Sequence, residues 1–287
     1  QRAKTSGFFL FRAPGFLLLL EVKMPTRTQT YGVLGVRISV LDPEKAADII
    51  EDMVQLRERG YVCVAPVSTV VDCHRSSQYR DVINNADLVT PDGMPIAWRG
   101  RMKGHKKVAR TYGPDLMLRV CERGQARVCR HFFYGGTPEI CDKLAKRLKE
   151  RFPDLIVAGM FSPPFYPEAR LADKNVIDMI SAARPDILWV GLGAPKQDFW
   201  MAMHRPLLNV PVMIGIGAAF DFLAGVKPQA PQWMRNAGLE WLFRLLCEPK
   251  RLWRRYLVGN SLFIWLLVWQ GLKNLIGQKS KVKSQKK

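Results

Sequence analysis

The stretch ILWVGLGAPKQ (187–197) decides the fold. Ile187, Leu188, Trp189 and Val190 form an apolar run without polar alternation, the pattern of a strand buried on both faces. Gly191 and Gly193 then allow the backbone to turn tightly after it. The same order recurs along the chain. Apolar, β-rich runs at 36–40, 61–64, 129–134, 155–159 and 210–215 are separated by amphipathic segments of helical pattern, and a shorter run lies at 87–89. Asp42 as N-cap and Pro43 at the first helical position open one helix, which closes at Gly60, with Glu44 where a negative charge suits the helix dipole. Thr137 and Pro138 open a second that runs to about 152, and a third covers about 173–183. Buried strands alternating with helices predict an α/β fold, a Rossmann-like parallel sheet with helices on both faces.

Ligands in such sheets bind at the carboxyl ends of the strands, so the turns after the strands are the candidate site. Four stand out: Thr90-Pro91-Asp92-Gly93-Met94-Pro95, Tyr134-Gly135-Gly136-Thr137, Gly191 to Gln197, and Gly215-Ile216-Gly217-Ala218-Ala219-Phe220-Asp221. Their glycines let the backbone approach a ligand, and the helix N-terminus that follows favours phosphate. Neither GLGAPK nor GIGAAF completes a dinucleotide fingerprint after the first strand, no acid follows at the required distance, and there is no P-loop. The chain also lacks a D-x-D pair that would hold a metal against a sugar-nucleotide diphosphate, so arginines would have to neutralise such a ligand. Asp92, between Pro91 and Gly93, is a rigid carboxylate at a strand end that can act as a general base on a hydroxyl. On local sequence alone, an Asp-Gly turn residue is the preferred reading.

GLEWLFRLLCEPKRLWRRY (238–256) sets Arg244, Lys250, Arg251, Arg254 and Arg255 among Trp241, Leu242, Phe243, Leu245, Leu246, Leu252 and Trp253. This mixture is costly to bury and suits a membrane surface, where guanidinium forks bind phosphate oxygens and apolar side chains rest on lipid. An amphipathic helix with solvated cations is the alternative at this point. Of the net charge of +19, residues 226–287 carry +11, thirteen Lys/Arg against Glu240 and Glu248. Such a tail calls for an acidic partner, anionic lipid or nucleic acid. Pro249 is expected to divide it into two helices, with Arg244 on the first, and Arg251 and Arg254 sharing a face of the second. SLFIWLLVW (261–269) is too short to span a bilayer and fits a helix lying in or against one.

The chain thus divides into a core at 24–225, a helical, basic C-terminal appendage at 226–276, and a tail at 277–287 whose lack of apolar residues predicts disorder. Residues 1–23 are expected to be a non-native or disordered extension. Their apolar run is interrupted by Arg12 and Pro14, no A-x-A-like cleavage site follows, and Met24 reads as the natural start. The six cysteines form no C-x-x-C pair and read as reduced residues of a cytosolic protein, and the four scattered histidines suggest no zinc site.

TPDG, RTYGPDL, FFYGG, RPDILWVGLGAPKQDFW, IGIGAAFDFLAG, APQWMRNAGLEWLFRL and EPKRLWRRYL together resemble the WecG/TagA/CpsF family, glycosyltransferase family 26, over about 35–256. The resemblance implies an inverting, metal-independent and cofactor-free transfer of an N-acetylmannosamine-type or related sugar. The donor would be a UDP-sugar and the acceptor a polyprenyl-diphosphate-linked saccharide in bacterial cell-surface polysaccharide synthesis. It further implies that Asp92 is the general base and that Arg110 lines the active site. Gln197, Asp221 and Gly191 would belong to the UDP-sugar pocket, with Gly135 and Gly136 in its glycine-rich wall. Arg244, Arg251 and Arg254 would hold the diphosphate when the appendage docks on the anionic inner face of the plasma membrane, the enzyme being cytoplasmic and peripheral. A homo-oligomer formed through the core is compatible with this reading, and nucleic acid is not an expected partner.

The chain departs from the family at two places. Val64-Ala65-Pro66-Val67-Ser68-Thr69 stands where a Thr-x-Asn turn is usual, with Ser68 or Thr69 as substitutes. Ser162-Pro163-Pro164-Phe165 stands where Gly-Tyr is usual, with Phe165 as either a uracil-stacking residue or a loop anchor. Two rivals remain: an NAD(P) oxidoreductase, opposed by the missing fingerprint, and a nonenzymatic basic lipid- or nucleic-acid-binding protein, which leaves the four strand-end turns unexplained.

Overall fold

The computed structural model describes the backbone of residues 6–13, 16–23, 28–164 and 173–284, and the side chains of 28–164 and 173–273. Two antiparallel hairpins stand apart from the main sheet. β1 (Ser6–Ala13) pairs with β2 (Phe16–Lys23), and β3 (Thr30–Val33) pairs with β4 (Val36–Ser39). The first hairpin lies in the segment expected to be non-native or disordered; its phenylalanines, leucines and valine favour extended backbone. The run at 36–40 is a strand, as expected, but not one of the parallel sheet. Leu34 and Gly35 have φ of 49° and 89°, the geometry of a two-residue hairpin turn, and Val33 meets Val36 in register.

The core then follows as α1 (Pro43–Gln55), β5 (Gly60–Ala65), α2 (Val67–Arg75), α3 (Ser77–Asn84), β6 (Leu88–Pro91), α4 (Met94–Met102), α5 (Gly113–Gln125) and β7 (Arg130–Gly135). It continues through α6 (Pro138–Arg151), β8 (Ile156–Phe161), α7 (Lys174–Ala183), β9 (Ile187–Gly191), α8 (Lys196–His204), β10 (Val212–Gly215) and α9 (Ala219–Leu223). The caps behave as the sequence predicts: Asp42 accepts from the Lys45 amide at 2.8 Å, and Thr137 from that of Ile140 at 3.4 Å.

Six strands form one parallel sheet in the order β6-β5-β10-β9-β7-β8. Its residues alternate between two cores. Tyr61, Cys63, Leu188, Val190 and Met213 pack with residues of α2, α3, α7 and α8, whereas Val62, Val64, Phe133, Trp189 and Ile214 pack with α1, α5, α6 and α9. The fold class is therefore α/β with helices on both faces. The short run at 87–89 supplies part of edge strand β6. All six cysteines are free, and only Cys247 is exposed.

Five further segments follow: α10 (Gln232–Asn236), α11 (Glu240–Cys247), α12 (Pro249–Trp253), a π-helical turn at Arg254–Val258, and α13 (Gly259–Ser284). Pro249 separates α11 from α12, as expected. α13 buries Phe263 and Leu266 in the core that holds α2, and exposes Ile264, Trp265, Val268, Trp269 and Leu272. Its backbone continues through 277–284, the stretch expected to be disordered. Lysine and glutamine are good helix formers, and a helix already nucleated by packed residues extends through them at little cost. Among the described residues, no helix is long and apolar enough to cross a membrane.

Candidate active site

The carboxyl ends of β5, β6, β9 and β10 meet the C-terminal helices around a cleft of about 300 Å³. The strand-end turns contribute Pro66, Ser68, Asp92, Gly93, Gly193, Gln197 and Gly217, and the C-terminal helices contribute Glu240, Trp241, Arg244, Arg251, Arg255 and Tyr256. Three of the four turns singled out in the sequence thus meet the C-terminal helices, brought together by the sheet topology, and the turn after β7 does not line the cleft.

Asp92 follows β6 directly. Its amide donates to the Ala65 carbonyl at 3.2 Å, tying it to the end of β5, and Gly93 takes φ of 96° to start α4. The Asp92 side chain is 19% exposed and lies 3.7 Å from Arg110 Nε. Burial pushes its carboxyl up to about 6. Arg110 opposes that rise, Glu240 adds to it, and Arg244 and Arg255 oppose it. The carboxylate is therefore ionised near neutral pH and basic enough to take a proton.

Arg110 is held in place by several contacts. The Thr111 amide donates to the Pro91 carbonyl at 2.8 Å, which sets the segment beside β6. The guanidinium lies over Tyr112, 4.3 Å from the ring centroid, and forms an ion pair with Glu240. Its Nη1 donates to the Arg235 carbonyl at 3.2 Å.

Gln197 lines the cleft, yet its amide oxygen is already occupied. It accepts from the Gly193 amide at 3.1 Å and the Gly217 amide at 2.9 Å, joining the turns after β9 and β10. Gln197→Met would leave both donors without this acceptor. It is expected to lower the unfolding free energy by about 1–3 kcal/mol. An unchanged midpoint and slope in denaturant unfolding would show that the bridge is not needed.

The other expected residues divide. Arg244 and Arg251 line the cleft, but Arg254 does not; Arg255 takes that place, and its Nε donates to Ser68 Oγ at 3.0 Å. Arg251 and Arg255 are four apart and share a helix face, and the wider π-helical turn that begins at Arg254 supports this spacing over three. The Arg254 guanidinium lies over Trp253 instead, 5.2 Å from its centroid. Ser68 occupies the cleft, whereas Thr69 is buried.

Gly135, Gly136 and Gly191 do not line the cleft but fit close packing behind it. A Cβ on Gly135 would come within 2.6 Å of Gly191, and one on Gly191 within 2.6 Å of the Phe220 ring. The Asp221 carboxylate turns away to Lys227 at 3.0 Å, and Lys227 reaches Glu248, which pairs with Arg251. Asp221 thus supports an arginine of the cleft through two intermediaries. Phe165 lies outside the described residues.

Glu240, Tyr112 and Arg255 line the cleft without having been assigned a role from sequence. Glu240 had a visible signal: it is one of two acids in a strongly cationic segment. The assembled cleft sets a rigid base opposite several guanidinium groups. This suits a reaction in which a hydroxyl loses its proton while an anionic leaving group develops charge.

Comparison with known proteins finds relatives over most of the chain. The sequence model described as the Glycosyl transferase WecG/TagA/CpsF family matches residues 31–276. A Bacillus spizizenii protein named N-acetylglucosaminyldiphosphoundecaprenol N-acetyl-beta-D-mannosaminyltransferase is 32% identical over 199 residues, 69% of this chain and 75% of the relative. Proteins of the same name from Bacillus subtilis and Staphylococcus aureus are each 28% identical, over 64% and 61% of this chain and 69% and 67% of the relatives.

Proposed function

The chain belongs to the WecG/TagA/CpsF family and is a glycosyltransferase, and on that premise we propose that it moves an N-acetylmannosaminyl-type sugar from a UDP-sugar to a polyprenyl-diphosphate-linked saccharide, with inversion. The relatives' names supply the sugar and the acceptor class. The observation that carries the mechanism is the position of Asp92 in one cleft with Arg110, Arg244, Arg251 and Arg255. Asp92 takes the proton of the acceptor hydroxyl, whose oxygen attacks the anomeric carbon. The bond to UDP breaks on the opposite side, and the arginines stabilise the charge gathering on the diphosphate. A single displacement of this kind inverts the anomeric centre.

The enzyme would work at the cytoplasmic face of the plasma membrane. The exposed Trp265, Trp269, Ile264 and Val268 of α13 would rest at the lipid interface, and the surplus of lysine and arginine would attract anionic headgroups. This supports access to an acceptor that is itself anchored in lipid.

Because guanidinium groups are given the charge-neutralising role, transfer is expected to continue in saturating EDTA. NMR of the product should show an anomeric configuration opposite to the donor's. Activity lost in EDTA and restored by magnesium or manganese, or a product of retained configuration, would reject the mechanism.

A further inference from the structure

The acidic residue on the far wall of the cleft has an unusual neighbourhood. Glu240 is only 8% exposed although it belongs to the most cationic part of the chain. Its carboxylate pairs with Arg110. All three nitrogens of the Arg110 guanidinium can be followed. Nη2 is taken by Glu240, and Nη1 by the Arg235 carbonyl at 3.2 Å. Nε faces Asp92 at 3.7 Å, beyond hydrogen-bonding distance, and is buried without a hydrogen-bond partner. Both groups that hold the outer nitrogens come from the C-terminal helices, Arg235 from α10 and Glu240 from α11.

Without those two groups, the fork would be free to close on Asp92. A bidentate guanidinium–carboxylate pair is among the strongest side-chain contacts, and it would occupy the lone pairs that the base needs. We propose that Glu240 is a positioning residue: it draws the Arg110 fork away from Asp92, so that the carboxylate stays free for the acceptor's proton only while α11 is seated. Seating the appendage would therefore arm the base as well as deliver arginines to the diphosphate. The proposal rests on Asp92 being the base.

The groups facing Asp92 set the expected direction. Arg110 approaches from the segment before α5, Glu240 and Arg244 from α11, and Arg255 from the π-helical turn. The Tyr112 and Tyr256 phenols also face it. Neutralising Glu240 removes a negative neighbour and releases Arg110, and both changes lower the proton affinity of Asp92.

The test uses the full chain with Glu240→Gln, which keeps the size of the side chain, and Glu240→Asp, which keeps the charge. The Asp92 carboxyl is followed by NMR with carbon-13-labelled aspartate, its signal identified by its loss in Asp92→Asn. In Glu240→Gln it should titrate about one pH unit lower, a tenfold drop in proton affinity. The acid limb of kcat/KM should move with it, and kcat should fall. Glu240→Asp should lie nearer the parent on both readouts. An Asp92 titration unmoved in a folded Glu240→Gln variant overturns the proposal, and so does one that rises, because a residue that merely anchors α11 would, on its loss, take the lowering charges of Arg244 and Arg255 away from Asp92. A titration that moves while Asp92→Asn remains active instead overturns Asp92 as the base, so the two failures are distinguishable.

Discussion

Asp92→Asn is expected to lower transfer by about a hundredfold to ten-thousandfold, the usual contribution of a general base. The amide has nearly the same shape, so the backbone contact to Ala65 and the turn at Gly93 should persist. It cannot accept the hydroxyl proton, however, and it no longer presents a charge to Arg110. UDP should bind almost as before, because the arginines assigned to the diphosphate are unchanged. The wild-type pH profile provides a second check. A base pushed up to about 6 is deprotonated and competent above that pH, so kcat/KM should fall as pH drops through 6. More than about a tenth of parent activity in the variant would remove Asp92 from the mechanism.

Arg251→Ala combined with Arg255→Ala should be nearly as damaging. One preorganised donor to a developing anion typically contributes about a hundredfold to a thousandfold in rate, and two donors on the same ligand do not add independently. A loss of at least about a hundredfold in kcat is therefore expected, with a weaker effect on liposome binding, since the exposed apolar face of α13 is untouched. Arg254→Ala is the informative control. Its guanidinium lies over Trp253 and not in the cleft, so its loss should change turnover severalfold at most. Equal losses in Arg254→Ala and Arg255→Ala would contradict the register of the π-helical turn.

That register also marks where sequence reasoning reached its limit. Three and four residues are both helix-face spacings, and nothing in RLWRRY announces a π-helical turn, so Arg254 and Arg255 could not be told apart. The parallel sheet was legible because its strands are apolar runs separated by amphipathic helices, two of which, α1 and α6, open with clear N-caps. The hairpin at 30–39 was not, since Leu34 in a left-handed conformation gives little local warning. Asp92 and Gln197 were legible as members of distinctive turns. The use of Gln197 to bridge two backbone amides was not, because it depends on β9 and β10 being neighbours in the sheet. Glycines at strand ends read as ligand-binding elements, but here Gly135 and Gly191 are explained by their close approach to one another and to Phe220. Glu240 was overlooked because its meaning lies in Arg110, 130 positions away.

The central claim is that the strand-end turns and the C-terminal helices form one site for a nucleotide-linked sugar. A crystal structure of the full chain with UDP tests this most directly. The diphosphate is predicted to lie between Arg244, Arg251 and Arg255, with its sugar-bearing end toward Asp92. UDP bound elsewhere, or bound in the cleft with the diphosphate remote from all three arginines, would contradict the account.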